Sequence, residues 1–235
     1  MFVKVTEIEH YTDTLFRFRT ERPNTFRFTA GEFTMIGMGD NDIMRAYSIT
    51  SGPYDDYLEF YSIKVPDGPL TSRLQHIKVG DTIEVGDKST GTLTLANLEL
   101  SGNLWLLATG TGIAPFISLL RDPDLYDAFD RVHVVWSVRQ QAELLSYHSF
   151  LQELDIDYTP TVTQDIKWTG CKERITKMIS GGSILTGSIP KNDKVMICGS
   201  MPFNNDVKDL LSQNGWQEGT RKQAGTFVQE KAFVS

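Results

Sequence analysis

Across the first hundred residues, apolar and polar positions alternate in short runs. VKVTEIEHY, LFRFRT, FRFTAGEFTMIGM, RAYSIT, LEFYSIKV, DTIEVG and GTLTL are rich in β-branched and aromatic residues, with Gly, Pro, Asp and Asn between them. A period of two puts successive side chains on opposite faces, so each run predicts a strand. Many short strands joined by turn residues predict an antiparallel β-barrel. One helical interruption is expected at PLTSRLQHI, where Leu70, Leu74 and Ile77 recur at helical spacing and Thr71 or Ser72 is placed to cap.

From about residue 103 the pattern changes. NLWLLAT is a continuous apolar run, followed by the turn GTG and a helical IAPFISLLRD with Pro115 near its first turn. Then VHVVWSV, DYTPTVTQ and KVMICGS read as strands, and ELLSYHSFLQEL, ERITKMIS and FNNDVKDLLSQNG as helices. This alternation predicts an α/β domain on a parallel, doubly wound sheet. The boundary between the two patterns is placed at ELSG, residues 99–102.

Composition narrows the chemistry. The chain has 235 residues, 40% hydrophobic, long enough for one large domain or two of medium size. Two cysteines, Cys171 and Cys198, cannot supply a four-cysteine iron–sulfur site and do not suggest a disulfide framework, so redox chemistry requires an organic cofactor; no metal site is expected. A net charge of −7 argues against a general nucleic-acid partner. No apolar run approaches the roughly 18 residues of a membrane span. The first residues lack a signal-peptide pattern, and a cytoplasmic location with no membrane partner is the expectation.

Two stretches carry candidate chemistry. On the RAYSIT strand, Arg45, Tyr47 and Ile49 share one face while Ala46, Ser48 and Thr50 share the other. One face thus offers a cation and a flat ring, the other a small hydroxyl. ATGTGIAPF, residues 108–116, follows a buried strand and opens a helix. Gly110 and Gly112 allow close approach of a ligand to the backbone, and the helix start offers free N–H groups to a pyrophosphate. The pattern is not the full dinucleotide fingerprint, because Pro115 stands near the third glycine position, and a tight structural turn is the competing reading. The next strand ends in Ser137, Val138 and Arg139 without an acidic residue, which points to NADP rather than NAD. Arg174 lies beyond the following strand, close enough in topology to join a phosphate clamp. Taken singly, each arginine also reads as a solvated surface cation. CGSMPFNND, residues 198–206, follows KVMI where the nicotinamide end is expected, with Gly199 permitting close approach; Cys198 by itself reads equally as a small buried hydrophobe.

Six segments in order, RAYS (45–48), YSIKV (61–65), GPLTS (68–72), GTGIAP (110–115), CGS (198–200) and the end FVQEKAFVS, resemble the ferredoxin (flavodoxin)–NADP reductases of the short bacterial type. The resemblance spans nearly the whole chain. It implies an FAD-binding β-barrel domain at 1–99 and an NADP(H)-binding α/β domain at 102–235, whose C-terminal tail returns to the FAD. It also implies roles. Arg45 contacts the FAD pyrophosphate, Ala46 lines the site, Tyr47 stacks on the isoalloxazine, and Ser48 lies near the flavin N5. Tyr61, Ser62, Ile63, Lys64 and Val65 form a second flavin-lining strand, and Gly68, Leu70, Thr71 and Ser72 receive the pyrophosphate at a helix start. Thr111 lies beside both the flavin and the nicotinamide. Gly110, Gly112, Gly199 and Ser200 line the NADP site with Arg139 and Arg174. Cys198 sits near the hydride-transfer point, and Glu230 matches an acidic residue near the active site. Ala232 stands where plastid relatives have an aromatic that covers the flavin, and Phe233, Val234 and Ser235 continue toward the adenine side of FAD. Deleting residues 233–235 is accordingly expected to weaken FAD retention, with unchanged flavin occupancy after gel filtration as the contrary result.

One departure stands out. Some relatives carry an arginine after VT in the strand that helps to clamp the 2′-phosphate, and this chain has Gln164 there. NADP preference is expected, with one charge-assisted contact to the 2′-phosphate fewer than in those relatives. The resemblance implies hydride exchange between NADP(H) and FAD, with single electrons passing to a ferredoxin or flavodoxin and Ser48, Cys198, Glu230 and Ala232 placed around the reacting atoms. A monomer is expected. Lys64, Arg73, Lys222 and Lys231 could form a basic docking patch for an acidic partner, against the plainer reading of solvated surface. Two other functions compete: a reductase that supplies an oxygenase through a separate ferredoxin, and a flavin- or nucleotide-binding regulatory module without turnover.

Overall fold

A computed structural model describes residues 1–39 and 43–232. Packing groups residues 1–91 and 114–122 in one unit, and 92–113 and 123–232 in another. The division runs at 91/92 and assigns the helix after the GTG turn to the first unit, a feature that no shift in composition marks.

The first unit is built on β1 (Phe2–His10), β2 (Leu15–Glu21), β3 (Phe33–Gly37), β4 (Arg45–Ser48), β5 (Tyr57–Ile63) and β6 (Thr82–Thr90), in the spatial order β4-β3-β6-β1-β2-β5 and antiparallel throughout. The edges meet. Ile49, just past β4, bridges Phe60 of β5, and the Thr50 N–H donates to the Glu59 carbonyl at 2.8 Å. The expected barrel thus closes, which removes the exposed edges of an open sheet. Its interior holds Val5, Phe16, Phe18, Ile36, Leu58 and Phe60. The short helix α1 (Thr71–Leu74) adds Leu70 and Leu74 to the same core.

Three expectations need correction here. FRFTAGEFTMIGM forms a strand only over Phe33–Gly37, because Gly31 takes a positive φ of 89° that interrupts extended backbone. GTLTL is not a strand; its last residue starts a single 3₁₀ turn, Leu95–Asn97. Neither Thr71 nor Ser72 caps α1, whose N-cap is Leu70; the Thr71 hydroxyl instead donates to the Val65 carbonyl.

The second unit carries β7 (Asn103–Thr109), β8 (Arg131–Val138), β9 (Asp157–Val162), β10 (Asp193–Gly199) and β11 (Phe227–Lys231), all parallel, in the order β11-β10-β7-β8-β9. Its connecting helices are α3 (Asp124–Ala128), α4 (His148–Glu153), α5 (Ile175–Ser180) and α6 (Met201–Gln213); α2 (Ala114–Leu120) leaves the sheet for the first unit. Leu107, Val135, Val195 and Ile197 bury one face of the sheet against Ile175, Met178, Val207 and Leu211. On the other face Leu106, Val134, Trp136 and Met196 are equally buried. A sheet covered on both faces explains the unbroken apolar runs. α3 and β11 went unread in the sequence, α3 because five residues are too few to show a period and β11 because Gln229, Glu230 and Lys231 break an apolar run.

Candidate functional site

The chain order of the parallel sheet reverses between β7 and β10, and such reversals leave a crevice at the carboxyl ends of the strands. Both glycine turns lie there. Gly110–Ile113 forms a 3₁₀ turn directly after β7, and CGS closes β10. Gly110 has φ +53°, with open space where a Cβ would stand, so glycine is required there by conformation rather than by crowding. At Gly112 crowding decides, since a Cβ would fall 2.2 Å from the Cys198 carbonyl oxygen. The turn and the end of β10 therefore lie backbone against backbone.

Strand register places Pro160, Trp136, Ala108, Cys198 and Glu230 in one row across the five strands. Cys198 is 1% exposed, and burial pushes its thiol well above the ordinary range, with the Glu230 carboxylate adding to the effect. It is a neutral thiol at physiological pH, unsuited to nucleophilic catalysis. Glu230 is held from several sides. Its Oε2 accepts from the Thr92 backbone N–H at 2.9 Å and from the Thr92 hydroxyl at 3.2 Å, and its carbonyl accepts from the Asn204 side chain. The Ala232 N–H donates to the Gly199 carbonyl at 2.9 Å. Ser200 caps α6, its hydroxyl accepting from the Phe203 N–H. Cys198, Gly199, Ser200, Glu230 and Ala232 are thus brought together beside the Gly110–Thr111–Gly112 turn. Phe233, Val234 and Ser235 lie outside the described residues.

Arg139, directly after β8, and Arg174, between β9 and α5, are both exposed. The Arg139 carbonyl accepts from the Gln164 N–H, so the residue that departs from the family pattern sits beside it. Arg174 follows Glu173, whose carbonyl receives the Thr161 hydroxyl, and caps α5.

In the first unit, Tyr47 and Arg45 stand opposite Thr34 and Ile36 on the core-facing side of β3–β4, while Ala46 and Ser48 stand opposite Met35 and Phe33 on the outer side. The expected two-faced strand is present over Arg45–Ser48. Tyr47 packs at the rim of the core, its phenol accepts from the Ser62 hydroxyl at 3.3 Å, and burial pushes it above its ordinary pKa. The Arg45 side chain is exposed and donates to the Met44 carbonyl. On the YSIKV segment, Tyr61 is buried and Ile63 half-buried, and the Lys64 ammonium donates to the Thr12 carbonyl. At GPLTS the Ser72 N–H is committed to the Gly68 carbonyl and the Thr71 hydroxyl to the Val65 carbonyl, while the Ser72 side chain is half-buried at the helix start. Ser48 and Thr111 belong to different units.

The sequence did not disclose a buried ion cluster. Glu59, fully buried on β5, accepts from Arg19 at 2.7 Å, Arg17 at 3.2 Å and Arg121 at 3.0 Å. Burial pushes its carboxyl up, but Arg121 with Arg17 and Arg19 outweighs this and holds it below the ordinary carboxylate range. Arg121 also donates to the Thr50 carbonyl, and Ser118 of α2 donates to the Ser51 carbonyl at 2.7 Å, which fixes α2 on the barrel wall. The available signal was a glutamate set between the core residues Leu58 and Phe60.

Among known proteins, the oxidoreductase FAD-binding domain family matches residues 2–92, and the oxidoreductase NAD-binding domain family matches residues 106–209. A flavodoxin/ferredoxin–NADP reductase of Rhodobacter capsulatus is 46% identical, over 98% of this chain and 92% of its own length. A ferredoxin–NADP reductase of Azotobacter vinelandii is 39% identical over 98% and 96%. The crystal structure of a ferredoxin NADP+ reductase from Neisseria gonorrhoeae with bound FAD and NADP superposes with a TM-score of 0.92 at 30% identity, over 99% of this chain and 98% of that one. By full-length similarity at this level, the chain belongs to the flavodoxin/ferredoxin–NADP reductase family.

Proposed function

We propose that this protein is an FAD-containing oxidoreductase that exchanges a hydride with NADP(H) and single electrons with a ferredoxin or flavodoxin. The observation that carries the reading is the coincidence of the two glycine turns, GTG and CGS, with the point of strand-order reversal between β7 and β10. The family assignment supplies the flavin side.

The residues present fit both groups. Toward a nicotinamide nucleotide, Gly110 leaves open space where a Cβ would stand on the turn, and Arg139 and Arg174 offer guanidinium forks suited to a 2′-phosphate. Toward FAD, the exposed Arg45 suits a diphosphate, Tyr47 offers a flat ring at the edge of the core, and Ser48 presents a hydroxyl on the outer face of β4. When bound, FAD supplies the chemistry that accepts a hydride and releases electrons singly. The chain positions and excludes. Cys198 fills the end of β10 with a small neutral group, Thr92 and Asn204 hold Glu230 and the start of the tail, and Ala232 leaves little bulk where the tail begins. We assign the barrel at 1–99 to FAD and the α/β domain at 102–235 to NADP(H), with Lys64, Arg73, Lys222 and Lys231 as candidate contacts for the acidic electron partner.

The test is NADPH-dependent reduction of a purified flavodoxin and a purified ferredoxin, followed by a terminal acceptor such as cytochrome c, together with release and chromatographic identification of the flavin. Turnover that requires the electron-carrier protein supports the reading. Flavin reduction without transfer to either carrier would favour a reductase with another partner, and a protein that binds nucleotide without turnover would be the regulatory module.

A further inference from the structure

The largest side chain that is fully buried belongs to Trp136, on β8 between β7 and β9, and none of the roles assigned above uses it. Register sets Trp136 directly beside Ala108 of β7, whose small side chain leaves room for the indole. Two residues further on, the chain turns at Gly110, and the Gly110 carbonyl receives the Trp136 indole N–H at 2.9 Å. Indole is a donor only, and a buried N–H needs an acceptor; here it takes one from the first residue of the GTG turn.

The consequence follows from peptide geometry. No peptide bond among the described residues is cis. In a planar trans peptide, C=O and N–H point in opposite directions. With the Gly110 carbonyl held inward on the indole, the Thr111 N–H is turned to the opposite side of the turn, away from the buried ring. Gly110, at φ +53° with open space around the missing Cβ, has no side-chain packing of its own to fix that peptide plane. The indole therefore adds an anchor from below to a peptide at the start of the 3₁₀ turn, where Gly110 supplies no side chain to hold it.

We infer that Trp136 is a positioning residue for the nicotinamide nucleotide: its indole N–H fixes the Gly110–Thr111 peptide so that the Thr111 N–H is presented to the ligand. The inference rests on the NADP(H) reading of the turn. It differs from the 2′-phosphate clamp, since the GTG peptide serves the part of the ligand common to NADP and NAD.

Trp136→Phe keeps an aromatic ring and removes the donor. The control is Val134→Ala, which removes core volume from the same face of β8 without touching the turn. The readout is the dissociation constant of NADP+ and of NAD+ by isothermal titration calorimetry on the flavin-loaded protein, with flavin content measured in parallel. The expected result for Trp136→Phe is about tenfold weaker binding of both nucleotides, the size of one hydrogen bond, with their ratio and the flavin content unchanged. Val134→Ala should bind both as the parent protein does. Parental affinity in Trp136→Phe would overturn the inference, as would an equal loss in Val134→Ala or a loss confined to NADP+. Should Trp136→Phe fail to fold, benzothienylalanine installed at position 136 alone keeps the bicyclic shape, replaces N–H by sulfur, and is judged by the same outcomes. A parent protein that binds neither nucleotide would remove the underlying reading, and this inference with it.

Discussion

The barrel and the parallel sheet solve the same problem in opposite ways. The barrel wall is amphipathic, so its strands alternate, and a polar residue there can be either solvated or sealed under something else. Glu59 is sealed: it lies between two core residues in sequence, points away from the core, and is covered by three arginines and the segment after α2. The parallel sheet has no outward face to spare. All seven residues of β10 are buried, and its chemistry is confined to the turns and strand ends. One unit keeps its charges on the wall and the other at the rim, which makes the first sensitive to charge removal and the second to added volume.

The largest effect expected from this contrast is on the barrel. Glu59→Gln should destabilise the protein by about 3–5 kcal/mol at neutral pH, because it leaves three guanidinium groups facing a neutral partner in a buried place. The folded pKa of Glu59 lies below its unfolded value of 4.5, so the ionised carboxylate stabilises the fold above that pH and the contribution fades as pH falls through the folded value. Thermal melts of both proteins from pH 7 to pH 3 should therefore converge toward acid; a constant gap would break this half of the comparison.

Next in size is added volume at the rim of the sheet. Gly112→Ala would push a methyl against the Cys198 carbonyl, costing about 1–3 kcal/mol of stability, and should weaken NADPH binding at the same time. Parental melting temperature and affinity would show that the turn is looser than its backbone contact implies.

Arg139→Ala should raise the Michaelis constant for NADPH by about tenfold to a hundredfold, the range for a charge-assisted hydrogen bond, and leave that for NADH nearly unchanged. Equal losses would remove Arg139 from the 2′-phosphate. The smallest effect concerns Cys198: with its thiol buried and its pKa raised, mass-spectrometric mapping after iodoacetamide at pH 7.5 should find that position unmodified in the native protein and modified after denaturation. Rapid native labelling would mean that the end of β10 is open to solvent.

How much of this was legible depends on where each signal resides. Strands read well wherever a single period ran for five residues or more, as in LFRFRT or VHVVWSV. They failed where a glycine with positive φ or a short polar run interrupted the pattern, as at Gly31 and along Gln229–Lys231. The glycine turns and RAYS were legible because their chemistry is local. The Glu59 cluster joins residues up to 104 positions apart in sequence (Arg17 to Arg121), and the Trp136 contact depends on register between neighbouring strands; neither distance nor register is written in any one segment. Thr92 and Asn204, which hold Glu230, were missed for the same reason.

The most direct test of the central claim is an anaerobic titration of the purified protein with NADPH and, separately, with NADH, following the flavin absorption band. Bleaching by NADPH at much lower concentration than by NADH is the predicted result. A bleaching response equal for the two nucleotides would contradict a working phosphate clamp at Arg139 and Arg174, and a purified protein without a flavin band would contradict the account as a whole.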